Sequence, residues 1–142
     1  LAEYLAYFVN RLDEELRTAH GPVDKLRKLV FNHVGMYADD RIFARILLVE
    51  VRNYSDYFNS PAYATVQRYA QMVLEIIKHG MDQGSIRRDV PPESIREVIM
   101  GGIEHACLAR VIFNKGIDPR KAAHQLCEII FHGILTASED EE

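Results

Sequence analysis

Two groups of neighbouring polar residues could in principle carry out chemistry in this chain. Glu104 and His105 are adjacent and together offer a carboxylate and an imidazole, the usual groups for general acid and base catalysis. Adjacent side chains on a helix point about 100° apart, so these two do not face each other. We therefore expect one of them at a pocket or interface and the other elsewhere, and we identify no catalytic residue.

The second group is a possible set of metal ligands. His124, Glu128 and His132 follow at intervals of four and share one face of a predicted helix. Three residues over two turns extend too far to meet at one small ion, and no HExxH motif or cysteine cluster completes a site. The sequence also lacks a Gly-rich phosphate loop and a nucleophile elbow. We expect no metal site, no cofactor and no enzymatic activity.

A more dispersed set of side chains favours the binding of a small apolar or amphipathic molecule between helices. The candidates are His33, Tyr37, Arg52, Asn53, Tyr69, Met72, Glu104, His105 and Arg110. Each of them alone is also compatible with an ordinary core position, because tyrosines pack their rings in cores and buried histidines are usually hydrogen-bonded. Arg110 is distinctive because it falls on a mainly apolar helix side, where a buried charge needs an acidic partner from the protein, a second subunit or a ligand.

These candidates must be positioned by helices, because Gly and Pro divide the chain into six helical segments. The predicted helices span approximately residues 1–19, 23–38, 41–57, 61–83, 92–114 and 119–137. The stretch 46–51 has a β-like composition, but it lies inside a longer charged pattern and we interpret it as helix. The predicted fold class is therefore all-α.

The last two helices are apolar on two sides, unlike the fourth, which has a single apolar stripe. On the fifth helix we assign Ile95, Val98, Ile99, Gly102, Ala106, Ala109 and Phe113 to the core, and on the sixth Ala122, Leu126, Ile129, Ile130 and Gly133. The second sides consist of Met100, Cys107, Leu108, Val111, Cys127, Phe131 and Leu135. We predict that they meet a second copy of the chain in a four-helix bundle. The alternative is that both helices form the centre of a monomer.

Composition limits the class of protein further. With 142 residues, 48% of them hydrophobic and 27% charged, the chain suits one globular domain, which we place at residues 1–138. The formal net charge is −4, and Glu139–Glu142 form an acidic tail that we expect to be disordered. Nucleic-acid binders carry a concentrated basic face, so this chain by itself is not expected to bind DNA.

The pattern of cysteines and the lack of a recognisable targeting signal favour a cytoplasmic protein. Cys107 and Cys127 lie in apolar helical patterns without a framework spacing, so free buried thiols are favoured over a disulfide. No apolar run is long enough to span a membrane, and no signal segment opens the chain. The chain starts inside a helical pattern without an initiator Met, so we expect it to be a fragment.

One connection carries a family resemblance. The fourth segment ends with Gly80-Met81, Gly84, Ile86-Arg87 and Asp89, followed by the helix start Pro92-Glu93 and by Met100-Gly101-Gly102-Ile103-Glu104. In order and spacing this resembles the C-terminal regulatory domain of TetR-family transcriptional repressors. The resemblance covers most of the chain and is strongest over the last three helices.

The resemblance implies an all-α domain that binds an effector and dimerises through its last two helices. It also implies an N-terminal helix-turn-helix domain that binds operator DNA, so we expect this piece to bind effector without contacting DNA. The pattern is similar to repressors of fatty-acid degradation, which implies long-chain acyl-CoA as effector; multidrug or aromatic effectors are the alternative. A small helical enzyme or a purely structural dimerisation module remains the hypothesis from another class.

Overall fold

The structure, a computed structural model, describes residues 1–133, which contain six α-helices and no strand. The helices are α1 (Ala2–Leu16), α2 (Pro22–Asp39), α3 (Arg41–Arg45), α4 (Pro61–Gln83), α5 (Pro92–Ile112) and α6 (Pro119–His132). The predicted all-α class is confirmed. The predicted end of the last helix, Leu135 and the acidic tail lie outside the described residues.

Helix boundaries follow the capping residues in the sequence. The Ser60 hydroxyl accepts a hydrogen bond from the Tyr63 amide at 3.2 Å, and the Asp118 carboxylate accepts one from the Lys121 amide at 3.2 Å. In both helices a proline follows at the first position, where its missing N–H costs nothing. Gly84 ends α4 with φ of 83°, a left-handed conformation that suits glycine.

The predicted third helix, 41–57, is helical but not a continuous α-helix. After α3 the chain forms a π-helical turn at Ile46–Glu50 and 3₁₀ turns at Val51–Asn53 and Ser55–Asn59. We call residues 46–59 the irregular segment. Such short π and 3₁₀ turns often mark functional positions, and this segment borders the cavity described below.

Helix α2 is the centre of the fold and contacts each of the other α-helices. Its inward side chains are almost completely inaccessible to solvent, as are those of the single apolar stripe predicted for α4. The buried side chains are Leu26, Leu29, Val30, Val34 and Tyr37 from α2 and Tyr69, Val73, Ile76 and Ile77 from α4. The hydrophobic effect of burying these side chains is the main force that holds the helices together.

Short helix α3 is attached to the carboxyl end of α5. The Arg41 guanidinium donates a hydrogen bond to the Arg110 carbonyl at 2.6 Å, and that of Arg45 donates to the Ile112 carbonyl at 3.4 Å. The last carbonyls of a helix have no partner within it and carry partial negative charge, so cationic donors stabilise them. The start of the irregular segment is thereby fixed to α5.

The buried side of α5 agrees with our prediction only in part, because Ile99 is buried as predicted but most of the other buried positions lie outside the predicted core set. The helix buries Ile99, Ile103, Cys107 and Val111 within the chain, whereas the predicted core residues Val98, Ala106, Ala109 and Phe113 are exposed. Val98 is 61% and Phe113 69% exposed. The helical period identified two sides, but which side faces the core depends on packing against α2 and α4, which local periodicity does not contain.

The same correction applies to the predicted dimer residues. Cys107, Val111 and Cys127 are buried in the chain's own core and are not free to contact a second molecule. Of the others, Leu108 and Phe131 are half-buried against that core. On α6, Ile129 is 55% exposed although we assigned it to the core. Both cysteines are free thiols, as predicted.

Candidate functional site

A cavity of ≈ 380 Å³ lies between α1, α2, α4, α5 and the irregular segment. Its wall is mainly apolar and aromatic. The lining residues are Leu5, Phe8, Val9, His33, Met36, Tyr37, Leu47, Arg52, Tyr57, Phe58, Tyr63, Thr65, Val66, Tyr69, Met100 and Glu104. A volume of a few hundred Å³ with few polar groups is typical of a site for a small organic ligand.

Five of the nine predicted ligand-binding residues meet in this cavity. They are His33, Tyr37, Arg52, Tyr69 and Glu104, contributed by α2, the irregular segment, α4 and α5. Residues far apart in the sequence therefore form one polar stripe in an otherwise apolar wall. Their role in binding a ligand remains a prediction.

The other four predicted residues lie elsewhere. Asn53 and His105 are exposed and do not line the cavity, and Met72 lies at a separate cleft between α1 and α4. Arg110 is also exposed, and its guanidinium donates a hydrogen bond to the Gly116 carbonyl at 2.9 Å. The expectation of a buried Arg110 charge was wrong because the side of α5 that carries it faces outward.

His33 is the buried centre of the polar stripe. Its Nδ1 lies 2.9 Å from the Tyr69 hydroxyl and its Nε2 lies 3.0 Å from the Tyr37 hydroxyl. Burial lowers the pKa of His33 to about 4, because a charged imidazole loses its hydration there. Burial likewise raises the pKa of both tyrosines. The three side chains are therefore uncharged near neutral pH and act only as hydrogen-bonding groups.

The charged groups of the cavity form a single ion pair. The Arg52 guanidinium lies 3.1 Å from the Glu104 carboxylate, and the two side chains are 52% and 35% exposed. They therefore lie where the cavity meets solvent. Such a partly exposed pair can exchange partners with an anionic ligand at little cost.

The residues that we missed are mostly ordinary apolar side chains. Nothing in their local pattern separates a cavity wall from a filled core, because both are apolar and inward-facing. One stretch offered a signal in the sequence, because the aromatic residues Tyr57, Phe58 and Tyr63 are close together along the chain. In the structure their ring centroids lie 5.1–5.4 Å apart. Met100, predicted for the dimer contact, also lines the cavity.

Within residues 1–133 no three His, Cys, Asp or Glu side chains are grouped so that they could hold a metal ion. Of the three residues weighed as ligands, Glu128 and His132 approach to 3.9 Å on the surface of α6. No helix in this part of the chain is both long and apolar enough to cross a membrane.

Comparison with known proteins identifies the family. Residues 1–133 match the model of a TetR-type family described as YsiA-like protein, C-terminal region. The chain is a TetR-family C-terminal domain. As a TetR-family domain, it is an effector-binding regulatory domain, and the family resemblance seen in its sequence is confirmed.

Individual relatives of this TetR-family domain include the fatty acid metabolism regulator protein of Bacillus subtilis (strain 168). It is 20% identical over 132 residues, which cover 93% of this chain and 68% of the relative. The fold is similar to that of the transcriptional regulator FadR from Bacillus subtilis in complex with stearoyl-CoA, with a TM-score of 0.85 and 19% identity over 94% of this chain and 72% of that one. The fatty acid degradation regulator FadR from Bacillus halodurans has a TM-score of 0.83 and 18% identity, covering 94% and 69%.

Proposed function

We propose that this domain senses a long-chain acyl-CoA by enclosing its acyl chain in the ≈ 380 Å³ cavity. The observation that carries the proposal is the wall itself, which is mainly apolar and aromatic and carries charged side chains only at the Arg52–Glu104 mouth. An acyl chain gains free energy in such a wall, while its polar head remains at the solvent side. A relative of similar fold binds stearoyl-CoA, which supports the choice of ligand.

The proposal includes a homodimer formed by the outward apolar side of α5 and α6. Its exposed residues are Val98, Ala109, Ile112, Phe113 and Ile129. Grouped exposed apolar side chains are typical of a protein contact. The predicted four-helix bundle is retained, with a different set of residues from those we first assigned.

In the full-length regulator, ligand binding would change DNA binding by a population shift. In a dimer joined by the α5–α6 contact, the two N-terminal DNA-binding domains can adopt a first spacing that fits operator DNA and a second spacing that does not. The acyl-CoA then relieves repression only to the extent that it binds the second spacing more tightly. Such a protein acts in the cytoplasm.

Calorimetric titration with free CoA, acetyl-CoA, dodecanoyl-CoA and palmitoyl-CoA tests the proposed ligand. We expect no binding of the first two and a gain of about 0.8 kcal/mol, about fourfold in Kd, for each buried CH₂ of the longer chains. Val66→Trp, which fills the cavity, should abolish binding, and the neighbouring exposed Gln67→Trp should not. Equal affinity for CoA and palmitoyl-CoA would refute the proposal.

A second candidate is an aromatic effector, favoured by the six aromatic side chains in the wall. These are Phe8, Tyr37, Tyr57, Phe58, Tyr63 and Tyr69. Aromatic rings stack on one another and on flat cations. Binding of a planar aromatic cation, together with no binding of palmitoyl-CoA and loss of the cation in Val66→Trp, would favour this candidate.

A further inference from the structure

Of the two tyrosine hydroxyl protons next to His33, only one is used in a hydrogen bond to the imidazole. A neutral imidazole has one N–H donor and one acceptor nitrogen, and His33 uses them on Tyr37 and Tyr69. One tyrosine must donate its O–H to His33, and the other must accept the His33 N–H. The accepting tyrosine keeps its own proton, and neither hydroxyl has another hydrogen-bond partner among the described residues.

Charge near the cluster distinguishes the two tyrosines. Glu104 lies on the side of Tyr37, where its carboxylate adds to burial in raising the pKa of Tyr37 and outweighs the Arg52 guanidinium, which lowers it. For Tyr69, burial raises the pKa and no carboxylate contributes. The negative potential of Glu104 favours a Tyr37 proton turned away from His33 and toward the mouth of the cavity. Tyr69 is then the donor to His33 Nδ1.

We infer that Tyr37 donates this proton to the carbonyl oxygen of the bound acyl group, and so selects acyl over alkyl ligands. Tyr37 is 2% exposed and lines the cavity, so its hydroxyl can meet a ligand atom but is shielded from bulk water. A ligand with only CH₂ groups there would leave a buried donor unpaired, which is costly, whereas a carbonyl oxygen satisfies it. His33 positions the hydroxyl, since its Nε2 fixes the Tyr37 oxygen by one hydrogen bond.

This inference rests on the proposed acyl-CoA function, and a pair of ligands separates the two. Palmitoyl-CoA has a thioester carbonyl, and S-hexadecyl-CoA has a CH₂ in its place with the same chain length and head. For the wild-type chain we expect calorimetry to give a Kd about tenfold lower for the thioester. In Tyr37→Phe, the ratio of the two Kd values should fall to about one, because S-hexadecyl-CoA no longer leaves a buried donor unpaired and palmitoyl-CoA no longer accepts a hydrogen bond.

Two variants are controls for this measurement. Tyr63→Phe removes a hydroxyl from the same wall without touching His33, and Tyr69→Phe removes the partner on the other side of the imidazole. Both should keep the preference for the thioester, and thermal unfolding should show that all three variants fold. Equal wild-type affinity for the two ligands, or a preference lost in Tyr69→Phe and kept in Tyr37→Phe, would overturn the inference and leave the proposed function standing. Binding of neither ligand would overturn both.

Discussion

The Arg52 guanidinium and the Glu104 carboxylate lie 3.1 Å apart and join the irregular segment to α5 across the mouth of the cavity. Both side chains are partly exposed, so the pair contributes little to stability. Its significance is its position, because any anionic group that enters the mouth competes with Glu104 for Arg52. The pair therefore links the occupancy of the cavity to the contact between two elements.

The ion pair predicts opposite effects of its two neutral variants on acyl-CoA binding. Arg52→Gln leaves the Glu104 charge facing the CoA phosphates, and we expect palmitoyl-CoA affinity to fall about fivefold at low salt. Glu104→Gln frees Arg52 and should raise the affinity by a similar factor. Calorimetry at two salt concentrations tests this, because both effects should shrink as salt screens the charges. Arg17→Gln, which removes the remote pair with Asp13, should change nothing.

The exposed side of α5 predicts how the proposed dimer can be broken. Phe113→Glu places a charge where we propose that two chains meet, so we expect a monomer in sedimentation velocity at concentrations where the wild type is a dimer. Ile42→Glu, at a 77% exposed position on α3, is the matched control and should remain dimeric. A wild-type chain that sediments as a monomer would contradict the proposed contact.

Burial of the two cysteines predicts slow chemical modification. Burial raises the pKa of the Cys107 thiol to about 11 and also raises that of Cys127. At neutral pH the reactive thiolate is therefore scarcer than in an exposed cysteine, and the side chains are also shielded. We expect a thiol reagent to label both at least tenfold faster in urea-unfolded than in folded protein. Rapid labelling of folded protein would place a cysteine on the surface instead.

His33 predicts a loss of stability on acidification. Its pKa is about 4 in the folded chain, against 6.5 for an ordinary histidine. Between these values the unfolded chain binds a proton and the folded chain does not, so folding stability is highest above pH 6.5 and falls as pH drops toward 4. The loss from this group amounts to about 3 kcal/mol.

Urea unfolding at pH values near 7 and 4.5 measures this contribution. His33→Gln should show a smaller loss between the two pH values than the wild type. Val73→Ala, which weakens the core without removing a titratable group, should lose stability at both and keep the wild-type difference. An unchanged pH dependence in His33→Gln would show that His33 is not held uncharged by burial.

Sequence patterns predicted the features of this fold that are local. Capping and proline placed the start of α4 at Ser60-Pro61, and the apolar period placed its buried stripe, because both depend on residues within a few turns. Sequence patterns failed for features that depend on tertiary packing, such as which side of a helix is buried. The buried side of α5 was predicted only in part, and the predicted third helix contains a π turn that no local signal indicated.

The candidate site was predictable only in part, for a similar reason. Polar side chains such as His33 and Glu104 are conspicuous in apolar helices, so their meeting in one cavity could be guessed from type alone. Apolar wall residues such as Leu47 and Val66 look like any core residue. The prediction for Arg110 was wrong because we expected a charge on an apolar side of α5 to be buried, whereas that side faces outward.

The central claim, that the acyl chain occupies this cavity, can be tested with the four methionines of the chain. Met36 and Met100 line the cavity, whereas Met72 and Met81 do not. In protein labelled with ¹³C at the methionine methyl groups, palmitoyl-CoA should shift the Met36 and Met100 signals and give them nuclear Overhauser effects to the acyl chain. The Met72 and Met81 signals should stay in place. Contacts from the acyl chain to Met72 or Met81, with Met36 and Met100 unaffected, would contradict the account.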